Sequence, residues 1–393
     1  MTSFTRALQS ELAHLWKNPW DLAMISWVPL LAVWLVWAIF SQAIPTHLPI
    51  AVLDLDHSSA SRQLTRMLDA TPGLSVIAEV TDPAAAQTLL RRAKVIAVVE
   101  IPDDWMKSIK QGQSRPVHAL YNAQFANASG LVTRDIRTVV ATFSAGVEIT
   151  ARNKRGESIL AAQVNMEPLR AGLISLYNTA LNYEQFLTVN LVPALLHIFA
   201  MTAAVWTVGR ELRDGTAGHW MVATQVNSFR QMCAALCAKL LPGIVVLGLI
   251  GSGFFIFLLL FRGWQPTGSL AIGIAALWLM LILYSVLGAL LVGLLRSLRI
   301  GLSAVGFITA PAFAFAGVAF PVMGMPALAQ LWANILPFSH YIHLQTRLWQ
   351  QAAPVLTILP TLFFMLLASS IILVVATFVT RKAFLQADCW GKR

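Results

Sequence analysis

The chain has 393 residues, of which 57% are hydrophobic and 12% charged, with a formal net charge of +10 and a mean hydropathy of +0.67. Soluble domains carry about 25% charged residues, so this composition excludes an ordinary soluble protein and points to the membrane. The basic surplus does not mark a nucleic-acid binder: residues 45–185 hold 14 Lys/Arg against 13 Asp/Glu, and the excess flanks apolar runs, where the positive-inside rule puts it.

Residues 2–18, TSFTRALQSELAHLWKN, place Phe4, Leu8, Leu12, Leu15 and Trp16 on one helical face. Arg6, Gln9, Glu11 and Lys17 lie elsewhere around the helix. This predicts a cytoplasmic amphipathic helix over 1–21, its apolar face among lipid headgroups. Pro19 breaks it before the first span.

No Asp, Glu, Lys or Arg occurs from Leu22 to Leu53. About 20 apolar residues cross a hydrocarbon core, so residues 22–44 form the first transmembrane helix. The run is too long and starts too late for a cleavable signal and is expected to remain as an anchor.

Residues 45–185 read as an extracytoplasmic α/β domain with a helical stalk. Ile50–Asp56, Leu74–Ile77, Val95–Ile101 and Val117–Tyr121 are strand-like. Ser58–Leu68, Pro83–Arg92 and Pro102–Gln111 are helix-like, and the chain turns mostly helical from Ala123 to Tyr183. Strands alternating with helices imply a small mixed domain. Asp54 and Asp56 read as a solvated strand end. Asp103 and Asp104 read as stabilising a helix start.

Residues 186–393 read as a five-helix transmembrane domain, with spans near 186–209, 235–261, 269–295, 301–322 and 355–380. Arg210, Arg213, Arg230, Arg296, Arg299, Arg381 and Lys382 then share one side with Arg6 and Lys17. Both termini are therefore expected in the cytoplasm. His197 is the one candidate for a buried proton site within these spans, too little for an ion-coupled carrier. Cys233 and Cys237 read as small apolar helix residues rather than half of a metal site. His340 and His343 read as interfacial side chains beside Tyr341, not as ligands. The stretch from Phe320 through Pro337 is uncharged yet dense in proline and glycine. Broken backbone at membrane depth is tolerated only when buried in protein or lining a cavity. The stretch is therefore expected to form a re-entrant helical hairpin over about 323–345, marked by Phe320, Pro321, Met325, Pro326 and Pro337.

No phosphate-binding loop is present, since the sole Gly-Lys pair is Gly391-Lys392 near the chain end. No catalytic, cofactor or metal constellation stands out, so an energy source outside the chain is expected. The mixed-charge element Val205–Val222 lies between the second and third spans. Arg210, Glu211 and Arg213 are expected to offer charge to a protein surface, and Trp220 and Met221 to anchor it.

These features resemble the permease subunit of type-2 ATP-binding-cassette exporters. Glu211-Leu-Arg-Asp-Gly-Thr216 resembles that family's coupling helix, Ala51–Arg62 and Val95–Asp104 its inserted external domain, and Phe320–Pro326 with Leu336-Pro337 its re-entrant hairpin. The fold class implied is an α-helical polytopic membrane protein with six transmembrane helices, an inserted α/β domain after the first and a hairpin before the last. The resemblance implies an ATPase-coupling element over about 210–222, carried by Arg210, Glu211, Arg213, Asp214, Gly215, Thr216 and Trp220. It also implies a partner ATPase that holds the ATP, a second permease copy or paralogue, and a place in the bacterial inner membrane. A periplasmic membrane-fusion adaptor is a further candidate partner. Uncharged spans suit a hydrophobic or amphiphilic cargo. The competing reading is a membrane-anchored sensor or assembly factor whose external domain binds a ligand.

Overall fold

The computed structural model describes residues 2–111, 113, 115–156, 178 and 182–391. The middle of the expected stalk, 157–177, lies outside the described residues. Contacts divide the chain into two units, Met1–Ala43 with Ser175–Arg393, and Ile44–Ile174.

Among the described residues of the first unit six helices are long and apolar enough to cross a membrane: Pro19–Phe40, Glu184–Arg213, Phe229–Phe261, Leu270–Leu295, Leu298–Phe315 and Leu359–Leu385. They are called the first to sixth spans below. The first span is split at Ser26 into Pro19–Ile25 and Trp27–Phe40. Pro29 lacks the N–H that would continue the helical ladder to Ile25. The Ser26 N–H donates to the Ala23 carbonyl at 3.2 Å, and its hydroxyl donates to the Leu22 carbonyl at 2.5 Å.

Without water to expel, apolar helices associate by close packing, and small residues permit it. At Gly288 in the fourth span an added Cβ would lie 2.8 Å from the Met201 carbonyl oxygen and 2.9 Å from Ala204 Cβ in the second. A buried polar seam joins the helix Pro337–Trp349 to the second span. Gln345 Nε2 donates to Asn190 Oδ1 at 2.9 Å and to the Val189 carbonyl at 3.2 Å, and Tyr341 Oη donates to Gln345 Oε1 at 2.7 Å. His197 is buried between the rings of Tyr284 and Phe338, each with its centroid 4.6 Å away.

The stretch expected to form a hairpin contains a short turn at Val322–Gly324 and helices Ala327–Ile335 and Pro337–Trp349. Phe320 is exposed, Pro321 precedes the turn, Met325 and Pro326 separate it from the next helix, and Pro337 opens the last one. The fifth span ends at Phe315, earlier than the expected boundary near 322. Pro311 and Pro321 punctuate this part of the chain.

The far ends of the first three spans meet in an ion clasp. Glu184, buried at the start of the second span, accepts from Trp37 Nε1 at 2.7 Å, Arg262 Nε at 2.7 Å and Arg262 Nη2 at 3.2 Å. Arg262 Nη2 also donates to the Ser41 carbonyl, and its guanidinium lies 5.6 Å from the Trp37 ring centroid.

Among its described residues the second unit carries four strands, β1 (Leu48–Asp54), β2 (Leu74–Val80), β3 (Ala97–Ile101) and β4 (His118–Tyr121), in the order β2-β1-β3-β4. β1 is parallel to β2 and β3, and β4 is antiparallel to β3. Alternation sends Ile50 and Val52 to one face against Leu64, Leu68, Trp105 and Val132, and Ala51 and Leu53 to the other with Ala86 and Val98. One of the expected roles differs. Asp54 is buried rather than solvated: its Oδ1 accepts from the backbone N–H groups of Asp56 and His57, and Oδ2 from Ser61 Oγ at 2.7 Å. Asp104 stands at the N-terminal start of the helix Trp105–Lys110, in the left-handed region and without a side-chain cap bond, and Asp103 pairs with Arg115 at 2.9 Å.

The packing at Gly288 generates a prediction. Gly288→Leu should cost about 1–3 kcal/mol through overpacking, read as a lower thermal midpoint in detergent. Gly253→Ala, where an added Cβ meets nothing within 4 Å, should leave the midpoint unchanged or higher.

Candidate functional site

The second span runs without interruption to Arg213 and then turns sharply. Gly215 supplies the positive φ of 68° that the turn requires. The Thr216 N–H donates to the Glu211 carbonyl at 2.9 Å, and its hydroxyl donates to Glu211 Oε2 at 2.5 Å. The short helix Ala217–Ala223 comes next, and Ser228 with Gln231 forms a reciprocal capping box that starts the third span.

Beneath this elbow lies a buried ion cluster. Arg210 Nη2 donates to Glu11 Oε2 at 2.5 Å, and its Nη1 lies 3.4 Å from Asp21 Oδ2. Lys239 Nζ donates to Glu11 Oε2 at 3.1 Å and to Glu211 Oε1 at 2.7 Å. His14 Nε2 lies 2.8 Å from Asp21 Oδ2 at the rim. The cluster therefore joins the N-terminal helix Ser3–Lys17, the first span, the end of the second and the start of the third. Three carboxylates face the Arg210 and Lys239 side chains, and isolated charges would not survive this burial unpaired.

The sequence expectations divide accordingly. Arg210 and Glu211 do not offer charge to an outside surface: both are buried and consumed by the cluster. Trp220 and Met221 are not surface anchors either. Trp220 is buried, packs edge-on against Phe384 at 5.7 Å, and carries Lys239 Nζ 4.9 Å from its ring centroid. Arg213 and Asp214 do lie at the surface, paired with each other at 2.7 Å. The hydrogen bonds from Arg213 hold the Asp214 carboxyl below its usual range, so this corner keeps its negative charge as pH falls toward the ordinary carboxylate region. The outward side of the elbow is formed by Asp214, Thr216, His219, Val222 and Ala223. Val222 is 79% exposed. A cleft of about 330 Å³ opens there between the elbow and the N-terminal helix, lined in part by Ser10, His14, Thr216 and His219.

In the N-terminal helix Glu11, expected on the polar side, is instead buried with Ala7 and Leu15, while Leu12 and Trp16 of the apolar face are exposed, Trp16 to 82%. Glu11 faces the protein because Arg210 and Lys239 require it there. The tail adds a contact that the sequence did not suggest. The Gly391 N–H donates to the Leu212 carbonyl at 2.8 Å, and Trp390 lies so close to Gly218 that an added Cβ would stand 2.5 Å from it.

A family model described as "ABC-2 family transporter protein" matches residues 19–379. No curated protein matches the chain. The match takes in most of the sequence, including the elbow and nearly all of the six spans, and the chain belongs to the ABC-2 transporter family. It is a multi-pass permease subunit of an ABC transporter.

Removing one member of a buried pair costs about 3–5 kcal/mol, because the partner is left charged and alone. Glu11→Gln should accordingly lower the thermal midpoint of the purified protein sharply, and Arg213→Gln at the surface should leave it nearly unchanged. Equal midpoints for the two variants would contradict a closed cluster.

Proposed function

We propose that this ABC-2 family permease is half of an ATP-driven exporter of hydrophobic or amphiphilic molecules, moved through its elbow by a separate ATPase subunit. Two such chains, identical or paralogous, pair and engage two ATPases. ATP binding draws the ATPases together and pushes on the elbow. The carrying observation is mechanical. A lever must be stiff where it is pushed and attached where it acts, and the elbow is riveted by ions to the N-terminal helix and to the first three spans. Its reach extends further, because Gly209 in the second span packs directly on Leu298 at the start of the fifth.

The residues divide the work. Arg210, Glu211 and Trp220 hold the elbow to the bundle, and Gly215 and Thr216 set its angle. Asp214, Thr216, His219 and Val222 form the face that meets the ATPase. The basic end of the bundle then lies in the cytoplasm of a bacterial inner membrane, both termini included. The unit at 44–174 stands outside, where it docks an adaptor or shapes the exit. The turn and helices from Phe320 to Trp349 form a re-entrant hairpin near the outer surface. Spans with few ionisable groups favour a cargo that needs little polar solvation.

The test separates face from framework. His219→Glu with Val222→Glu should keep the wild-type thermal midpoint yet abolish co-purification of the ATPase subunit and ATP-dependent export. Full export by this variant would remove the elbow from the coupling path.

A further inference from the structure

Between the first and third spans runs an apolar groove of about 470 Å³. Its walls include Leu30, Trp34 and Trp37 on one side and Leu249, Gly253 and Phe257 on the other. Trp34, Trp37 and Phe257 form a cluster, with centroids 4.6 Å apart for the tryptophans and 5.1 Å between Trp37 and Phe257. Gly253 leaves the floor open, since an added Cβ there would meet nothing within 4 Å. On the third span the lining extends from Val246 to Phe257, a rise of about 16 Å at about 1.5 Å per residue. That length is about half of a hydrocarbon core of about 30 Å, the depth of one leaflet.

The groove ends at the ion clasp. Arg262, five residues beyond Phe257, gives Nε and Nη2 to Glu184 and the Ser41 carbonyl. Its Nη1 takes part in none of these bonds, and the side chain is 34% exposed.

We propose that this groove is a binding site for one membrane phospholipid, with an acyl tail between the first and third spans and the phosphate beside Arg262. Leaflet length, wholly apolar walls and a cation at one end match a single lipid better than a helix, which is about 10 Å wide. Hydrocarbon gains nothing hydrophobic by leaving other lipid tails. Retention therefore comes from van der Waals contact with the aromatic walls and from the charge-assisted bond to phosphate. The bound lipid completes the outward surface of the first three spans and fixes the spacing of the first against the third.

The experiment uses the full chain purified in mild detergent, supplied with phosphatidylglycerol and read by native mass spectrometry. Wild type and Gly253→Ala should retain one lipid per chain through delipidation. Gly253→Phe, which fills the floor, should lower that retention by about tenfold without loss of the thermal midpoint. Equal retention by wild type and Gly253→Phe would overturn the site. So would a disulfide between two copies formed by Leu249→Cys, with the three native cysteines replaced by serine, because a second chain would then occupy the groove. Neither readout depends on export or on the ATPase.

Discussion

The structure at the elbow depends on one electrostatic constraint: Lys239 and Arg210 are buried at the end of an apolar bundle and must be neutralised. Glu11 answers both with a single carboxylate oxygen, Glu211 takes the other side of Lys239, and Asp21 approaches Arg210. The local arrangement obeys that closure. The N-terminal helix turns Glu11 inward and Trp16 outward, the turn at Gly215 takes its angle, and Trp220 lies under the Lys239 ammonium. An element built this way is held firmly to the bundle, because its charges cannot separate without exposing an uncompensated ion.

A second clasp, Glu184 with Arg262 and Trp37, joins the opposite ends of the same three spans. The two clusters bracket the first, second and third spans at top and bottom. The remaining helices pack through small residues and through the seam at Gln345, Asn190 and Tyr341.

Much of this was legible in the sequence, and the reason is physical. Hydropathy over about 20 residues marks a span regardless of what it packs against, so six helices could be placed from charge-free runs. Local pattern did the same for the sheet and its helices: the helix-like run from Ser58 starts where the Ser58 side chain accepts from the Ser61 N–H. The elbow was recognisable because Arg210 to Trp220 breaks the apolar pattern. Its internal roles were not. Glu11 and Arg210 are separated by 199 positions, and Glu11 and Lys239 by 228. On a helical wheel Glu11 is an ordinary polar residue, and Lys239 sits one residue before a charge-free run. Trp220 resembled an interface anchor for the same reason, since Phe384 and Lys239 reach it from distant parts of the chain. Local pattern identifies the element, and only tertiary pairing says which of its side chains face outward.

The central claim, that buried ions hold the elbow in place, is tested most directly by amide hydrogen exchange across residues 217–223 in a Glu11→Gln variant. The elbow and the N-terminal helix are distant in sequence and joined by the cluster, so removing the Glu11 charge should raise exchange in both segments together. Faster exchange confined to residues 3–17, with the elbow as protected as in the wild type, would contradict that claim.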